Sequence, residues 1–91
     1  MLTSISVQKQ ASTLYLEGVL DCNSLAQIWS QHSQLLTDIH NIDVAQLNRV
    51  DSSGLALLTY LCIKYQTKLT GISLQLKTLI ELYDLDPVIL V

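Results

Sequence analysis

The apolar residues of this chain repeat at two different periods, and the order in which those periods alternate leaves few folds open. Residues 3–9 alternate strictly, with Ile5 and Val7 facing one way and Ser4, Ser6 and Gln8 the other, as in a half-buried strand. Gln10-Ala11-Ser12 suits a turn. Leu14 and Leu16 then alternate with Tyr15 and Glu17, so a hairpin whose second strand ends at Gly18 is expected. Asp21 to Ser24 supplies short polar side chains able to accept from free helix N–H groups. The period then changes to 3.6: Leu25, Ile28, Trp29, Leu35 and Leu36 share one arc of a first helix over about 24–36. Trp29 is assigned to the core.

Alternation returns at 41–47, with Ile42, Val44 and Gln46 opposite Asp43, Ala45 and Leu47, and marks a third strand. A polar stretch, Asn48 to Gly54, leads into a second helix over about 53–68. Ile72, Leu74 and Leu76 mark a fourth strand, followed by a short helix over about 77–84 and an apolar tail, Val88 to Val91. Strands that alternate with helices after an opening hairpin predict an α/β fold of order ββαβαβα, a mixed four-stranded sheet covered by helices. At 91 residues there is room for one core, so a single domain over 1–91 is expected.

Composition narrows the function. Eight acids face five bases, for a formal net charge of -3. Lys9, Arg49, Lys64, Lys68 and Lys77 never run together, whereas a surface that tracks phosphates needs clustered cations. Nucleic acid and a polybasic membrane patch are therefore set aside. No secretory signal and no membrane-length apolar run is visible, which leads us to expect a cytoplasmic chain that meets a membrane only through a partner. Cys22 and Cys62 form no CxxC pair and are read as reduced thiols.

The second helix carries more apolar surface than one sheet contact requires. Leu55, Leu58, Leu61, Cys62, Tyr65 and Leu69 form the arc expected to face the sheet. Ala56, Leu57, Tyr60 and Ile63 fall on another side. Either the last helix or the tail covers this stripe, or the stripe is a partner site. At the start of the same helix stands Asp51-Ser52-Ser53-Gly54. Taken alone it reads as a cap, with Asp51 or Ser52 accepting from the first turn and Gly54 permitting a close backbone approach. An anion would also be favoured there by the helix dipole, but no GxxxxGK[ST] loop exists.

Val-Asp-Ser-Ser-Gly-Leu-Ala-Leu-Leu at 50–58 resembles the signature of the STAS family, shared by anti-sigma factor antagonists and sulfate-transporter tails. Leu-Glu-Gly-Val-Leu-Asp at 16–21 resembles the second hallmark, which closes the second strand. Within the family, Trp29, the Arg49-Val50-Asp51 approach and Leu82-Tyr83-Asp84-Leu85 are most similar to the small stand-alone STAS subunit of Mla-type ABC transporters. Those complexes move phospholipid between the membranes of Gram-negative bacteria. The resemblance implies a non-enzymatic adaptor that binds the transporter's ATPase subunit at the inner face of the inner membrane. Its contact is then Ser52, with Asp51, Ser53 and Gly54 and the Ala56/Leu57/Tyr60/Ile63 stripe beside it. The alternative the family offers is an anti-sigma factor antagonist switched by phosphorylation of Ser53. Fewer residues separate the expected fourth strand from Leu82 than the family pattern suggests.

No cofactor or metal site is expected. His32, on the apolar arc, and His40 lack HxxxH or HxH spacing, and His32 is read as a packed side chain. Asp21, Asp43 and Asp51 could gather at strand ends as an acid–base set, but no oxyanion donors accompany them and capping is the simpler role.

Overall fold

The computed structural model describes residues 5–84. Its elements are β1 (Ile5–Gln10), β2 (Thr13–Leu20), α1 (Leu25–Trp29), α2 (His32–Leu35), β3 (Asn41–Val50), α3 (Ser52–Tyr65), β4 (Lys68–Thr70) and α4 (Leu74–Leu82). The sheet order is β1-β2-β3-β4, with β1 antiparallel to β2 and the other pairs parallel. This is the expected α/β class with a mixed four-stranded sheet. Residues 3 and 4 of the expected first strand and the apolar tail Val88 to Val91 lie outside the described residues.

The hairpin forms as alternation predicts. Ile5 and Val7 lie toward the core, Gln8 and Ser6 stand opposite Tyr15 and Glu17 on the open face, and Ala11 takes a positive φ of 54° in the turn. Leu14, Leu16, Ile42, Val44 and Leu69 bury the other face of the sheet against Ile28, Leu55, Leu58, Leu61, Leu76 and Ile80. Among the described residues helices thus cover one face and leave the other to water, as a mixed sheet with an antiparallel edge allows.

Four expectations need correction. The second strand continues past Gly18 to Leu20. Gly18 adopts φ 111°, a conformation open to glycine, where the β2–β3 pairing shifts register. Opposite it, β3 inserts one extra residue between the partners of Tyr15 and Glu17 and another between those of Gly18 and Val19. Each bulge turns the following side chains to the other face. Gln46 is therefore exposed although simple alternation put it with Val44, and the strand reaches Val50, which is buried again.

The first helix is broken in two. Gln31 leaves helical geometry, and the chain restarts as α2 at His32. The arc still works in part, since Ile28 and Leu36 are buried, but Trp29 is 47% exposed and is no core residue.

The third correction concerns the end of α3, at Tyr65 rather than 68. Gln66 takes a left-handed conformation, and the Thr67 N–H closes on the Cys62 carbonyl. Leu69 accordingly belongs to β4, paired with Ile42, and not to the helix arc. The fourth correction follows. Ile72, Leu74 and Leu76 are no strand: the Ser73 hydroxyl accepts from the Leu76 N–H at 3.1 Å and starts α4 at Leu74. Leu76 and Ile80 are buried four residues apart while Leu74 is 80% exposed, which is helical periodicity. An earlier start also removes the shortage of residues before Leu82.

This placement of α4 is testable by contrast. Leu76→Ala is expected to destabilise the fold by about 2–4 kcal/mol through a core cavity, and Leu74→Ala by less than about 0.5 kcal/mol. Equal losses in urea unfolding would return Leu74 to the core and the segment to a strand.

Candidate docking site

Both hallmark segments end up at the carboxyl edge of the two central parallel strands, where open α/β sheets present their sites. After β2, the Asp21 carboxylate accepts from the N–H groups of Asn23 (2.9 Å) and Ser24 (3.1 Å). The buried Ser24 hydroxyl donates to the Val19 carbonyl at 2.7 Å, which locks the turn onto the strand. After β3, the Asp51 N–H donates to the Leu20 carbonyl at 3.2 Å, and Asp51 becomes the N-cap of α3. Its carboxylate accepts from the Gly54 N–H at 2.9 Å and from the Ser53 hydroxyl at 2.6 Å.

Gly54 packs where no other residue fits. A Cβ there would lie 2.4 Å from the Leu20 carbonyl oxygen and 2.9 Å from its Cγ. Gly54 is buried, so its part in any docking surface is to bring α3 against the end of β2, not to touch a partner. Asp21 and Asp51 do come to the same end of the sheet, each spent on backbone N–H groups. Asp43 lies at the opposite end, bonded to the Ala45 N–H at 2.9 Å. The three do not gather. Among the described residues no three His, Cys, Asp or Glu side chains form a group that could hold a metal ion.

The two adjacent hydroxyls face different surroundings. Ser52 is exposed and borders a shallow hollow with Leu55, Ala56, Thr59 and Tyr83. Ser53 is half-buried, tied to Asp51, and borders a second hollow with Leu25, Trp29, Ala56, Leu57 and Tyr60. Ala56 separates the two. Along α3 the surface continues through Tyr60, 36% exposed, to Ile63, 62% exposed. Of the stripe singled out in the sequence, Leu57 is buried in the core and only floors the second hollow. Ala56, Tyr60 and Ile63 remain at the surface. The end of α4 reaches the first hollow through Tyr83 and leaves Tyr60 and Ile63 uncovered among the described residues.

Sequence reasoning missed the residues that complete this face. Trp29 from α1 stacks obliquely on Tyr60 (5.1 Å between centroids) and on His32 (4.9 Å). His32 Nδ1 shares a 2.6 Å hydrogen bond with the Tyr65 hydroxyl, so it is a packed side chain with a partner. The Lys64 ammonium lies over the rings of Tyr60 and Tyr65 at 5.9 and 5.8 Å. The available signal was the Tyr60-x-x-x-Lys64-Tyr65 spacing, which puts the lysine one turn beyond Tyr60 on the same face. Elsewhere, Cys22 is exposed and Cys62 buried, both free, and burial pushes the Cys62 thiol up.

The site is thus a capped helix start at a parallel sheet edge, with two hydroxyls and an aromatic strip on its outer face, in a domain of α/β type with a mixed sheet. A family model described as an MlaB-type STAS domain matches residues 3–91. The MlaB binding proteins of the intermembrane phospholipid transport systems of Escherichia coli K12 and Shigella flexneri are each 36% identical over 90 residues, covering 93% of both chains. The unphosphorylated anti-sigma factor antagonist SpoIIAA superposes with a TM-score of 0.64 at 19% identity, over 86% of this chain and 82% of that one. The chain belongs to the STAS family, in its MlaB-type branch.

Bonds from the Ser53 hydroxyl and the Gly54 N–H hold the Asp51 carboxyl below its ordinary value of 3.8. A group depressed on folding contributes its stability above the unfolded value and loses it as pH falls through the folded one. Asp51→Ala is therefore expected to cost about 1–2 kcal/mol near pH 7. The gap between wild type and variant in urea unfolding should narrow from about pH 5 to pH 3. A gap that stays constant across that range would contradict the charged cap.

Proposed function

We propose that this chain is the STAS subunit of an intermembrane phospholipid-transport complex, and that it works by docking on the complex's ATPase subunit at the inner face of the inner membrane. The observation that carries the reading is the uncovered strip Ser52–Ala56–Tyr60–Ile63 on α3, the helix that begins with the family motif. The likeness to MlaB along nearly the whole chain supports the transport context. A binding role without chemistry of its own agrees with carboxylates already engaged as caps. Among the described residues no helix is long and apolar enough to cross a membrane, so a place beside the bilayer would come from the partner.

The anti-sigma antagonist alternative needs Ser53 as a phosphoacceptor. Here Ser53 Oγ is half-buried and 2.6 Å from Asp51 Oδ1. A phosphoryl group would set a charge of about -1.5 to -2 against that carboxylate, and the cap would have to open first. Ser52, exposed beside the first hollow, meets no such obstacle to contact. This difference favours docking.

Co-purification with the ATPase subunit of an intermembrane phospholipid-transport complex tests the proposal. Ser52→Lys and Tyr60→Glu should each lower recovery of the complex at least about tenfold, the loss typical of a disrupted interface centre, while thermal melting stays near wild type. Recovery of an intact complex with both variants would sink it. A single added phosphate on Ser53 after incubation with ATP and an anti-sigma kinase would support the alternative.

A further inference from the structure

We propose that the groove between α1 and α3 seats a partner helix that presents one apolar side chain and, about two turns further on, a carboxylate received by Lys64. The assignment rests on the docking reading above and adds the chemistry of the partner. The apolar half of the seat is the hollow at Ala56, the smallest side chain of the strip. Leu57 floors it, and Leu25, Trp29 and Tyr60 form its walls. Two helices supply those walls, so the shallow hollow lies between their ridges, where a side chain of a third helix can pack.

The polar half is Lys64. It stands eight residues beyond Ala56, turned about 80° round the helix and about 12 Å along its axis. Its ammonium is held over two rings and, among the described residues, in no ion pair. A cation positioned by aromatic faces loses less freedom on pairing than a free lysine does, and the strip carries no other charge between Ser53 and Lys64. The rings of Trp29, His32 and Tyr60 pack on one another at 4.9 to 5.9 Å and leave no gap among themselves for a cationic ligand. Charge complementarity at this surface therefore selects an acidic, not a basic, partner segment.

Lys64 also lies in the last turn of α3, where a cation complements the helix dipole. That role would show in stability, whereas the seat shows in affinity and its salt dependence. The test measures binding of the full chain to the ATPase subunit of the transport complex at low and high NaCl, with thermal melts alongside. Lys64→Glu is expected to weaken binding at least about tenfold at low salt, and Lys64→Gln to weaken it about threefold and flatten the salt dependence. Ala56→Trp, which fills the hollow, should weaken binding by a similar factor without altering the salt slope.

If Ser52→Lys and Ala56→Trp abolish binding but Lys64→Glu leaves it unchanged, the seat is wrong and the docking reading stands. Should none of the three weaken binding, both fall. Melting temperatures that drop in step with affinity for Lys64→Glu would assign the lysine to the helix dipole and overturn the seat. So would sedimentation showing that Lys64→Glu instead dissolves a dimer of this chain, or release from anionic vesicles with the ATPase affinity intact.

Discussion

Where β2 and β3 finish side by side, the Leu20 carbonyl takes the Asp51 N–H, and Gly54 packs so close to it that a Cβ would collide with its oxygen. A carbonyl at the end of a strand would otherwise need water or a side chain. Here it is covered by the first turn of α3, and the separation is too small for any Cβ. The Asp51 carboxylate then closes the turn through Ser53 and Gly54. Because a helix is rigid over its length, these contacts at its start determine the rotation of everything after them. Leu55, Leu58, Leu61 and Cys62 are thereby aimed at the sheet, and Ala56, Tyr60 and Ile63 away from it. Turning α3 by one residue would bury Tyr60 in the place of Leu61 and expose Cys62 in the place of Ile63, so the proposed docking face depends on the cap.

The parts of the molecule that local chemistry controls were legible from the residues. β1 and β2 have one wet face, and their alternation is unbroken as far as Glu17. The cap of α3 uses a carboxylate at Asp51, a hydroxyl at Ser53 and a bare Cα at Gly54. What escaped was set by tertiary contact. The two bulges of β3 cost its alternation its meaning after Val44, because the partner strand and not the sequence of β3 decides where an extra residue is absorbed. α3 ends at Gln66 without glycine, so no breaker marked the stop, and Leu69 continued the helical arc while serving a strand. Ile72, Leu74 and Leu76 satisfy a period of two by accident; Ser73 with Leu76 and Ile80 carried the better signal.

Trp29 teaches the same lesson at the site. Its place on the arc with Ile28 implies burial only for one straight helix from 24 to 36. The break at Ser30–Gln31 lets α1 and α2 take separate directions, and the indole lies on the outside against Tyr60. Ala56, Tyr60 and Ile63 stand on the outer side of α3, and the surface they belong to continues onto α1 through Leu25 and Trp29. Only a fold joins them. Leu57 moved the other way, from the stripe into the core, because it lies between the two faces and the sheet side claims it.

The neighbouring hydroxyls show how one motif can serve different ends. Ser52 and Ser53 are chemically identical and adjacent, yet successive helical residues point about 100° apart. Ser53 turns back to the cap, so altering it alters the helix start as well as the surface. Ser52 turns outward beside Tyr83, and its hydroxyl makes no hydrogen bond among the described residues. A residue with no structural duty at the rim of an apolar hollow is free to be chosen for a partner. Exposed Tyr60 and Ile63 would be unremarkable singly. Their continuity with Trp29, backed by the buried Leu57, gives a rigid surface that loses little entropy when a partner covers it. The same rigidity links folding to recognition: whatever loosens the Gly54–Leu20 contact should rotate the face before it unfolds the core.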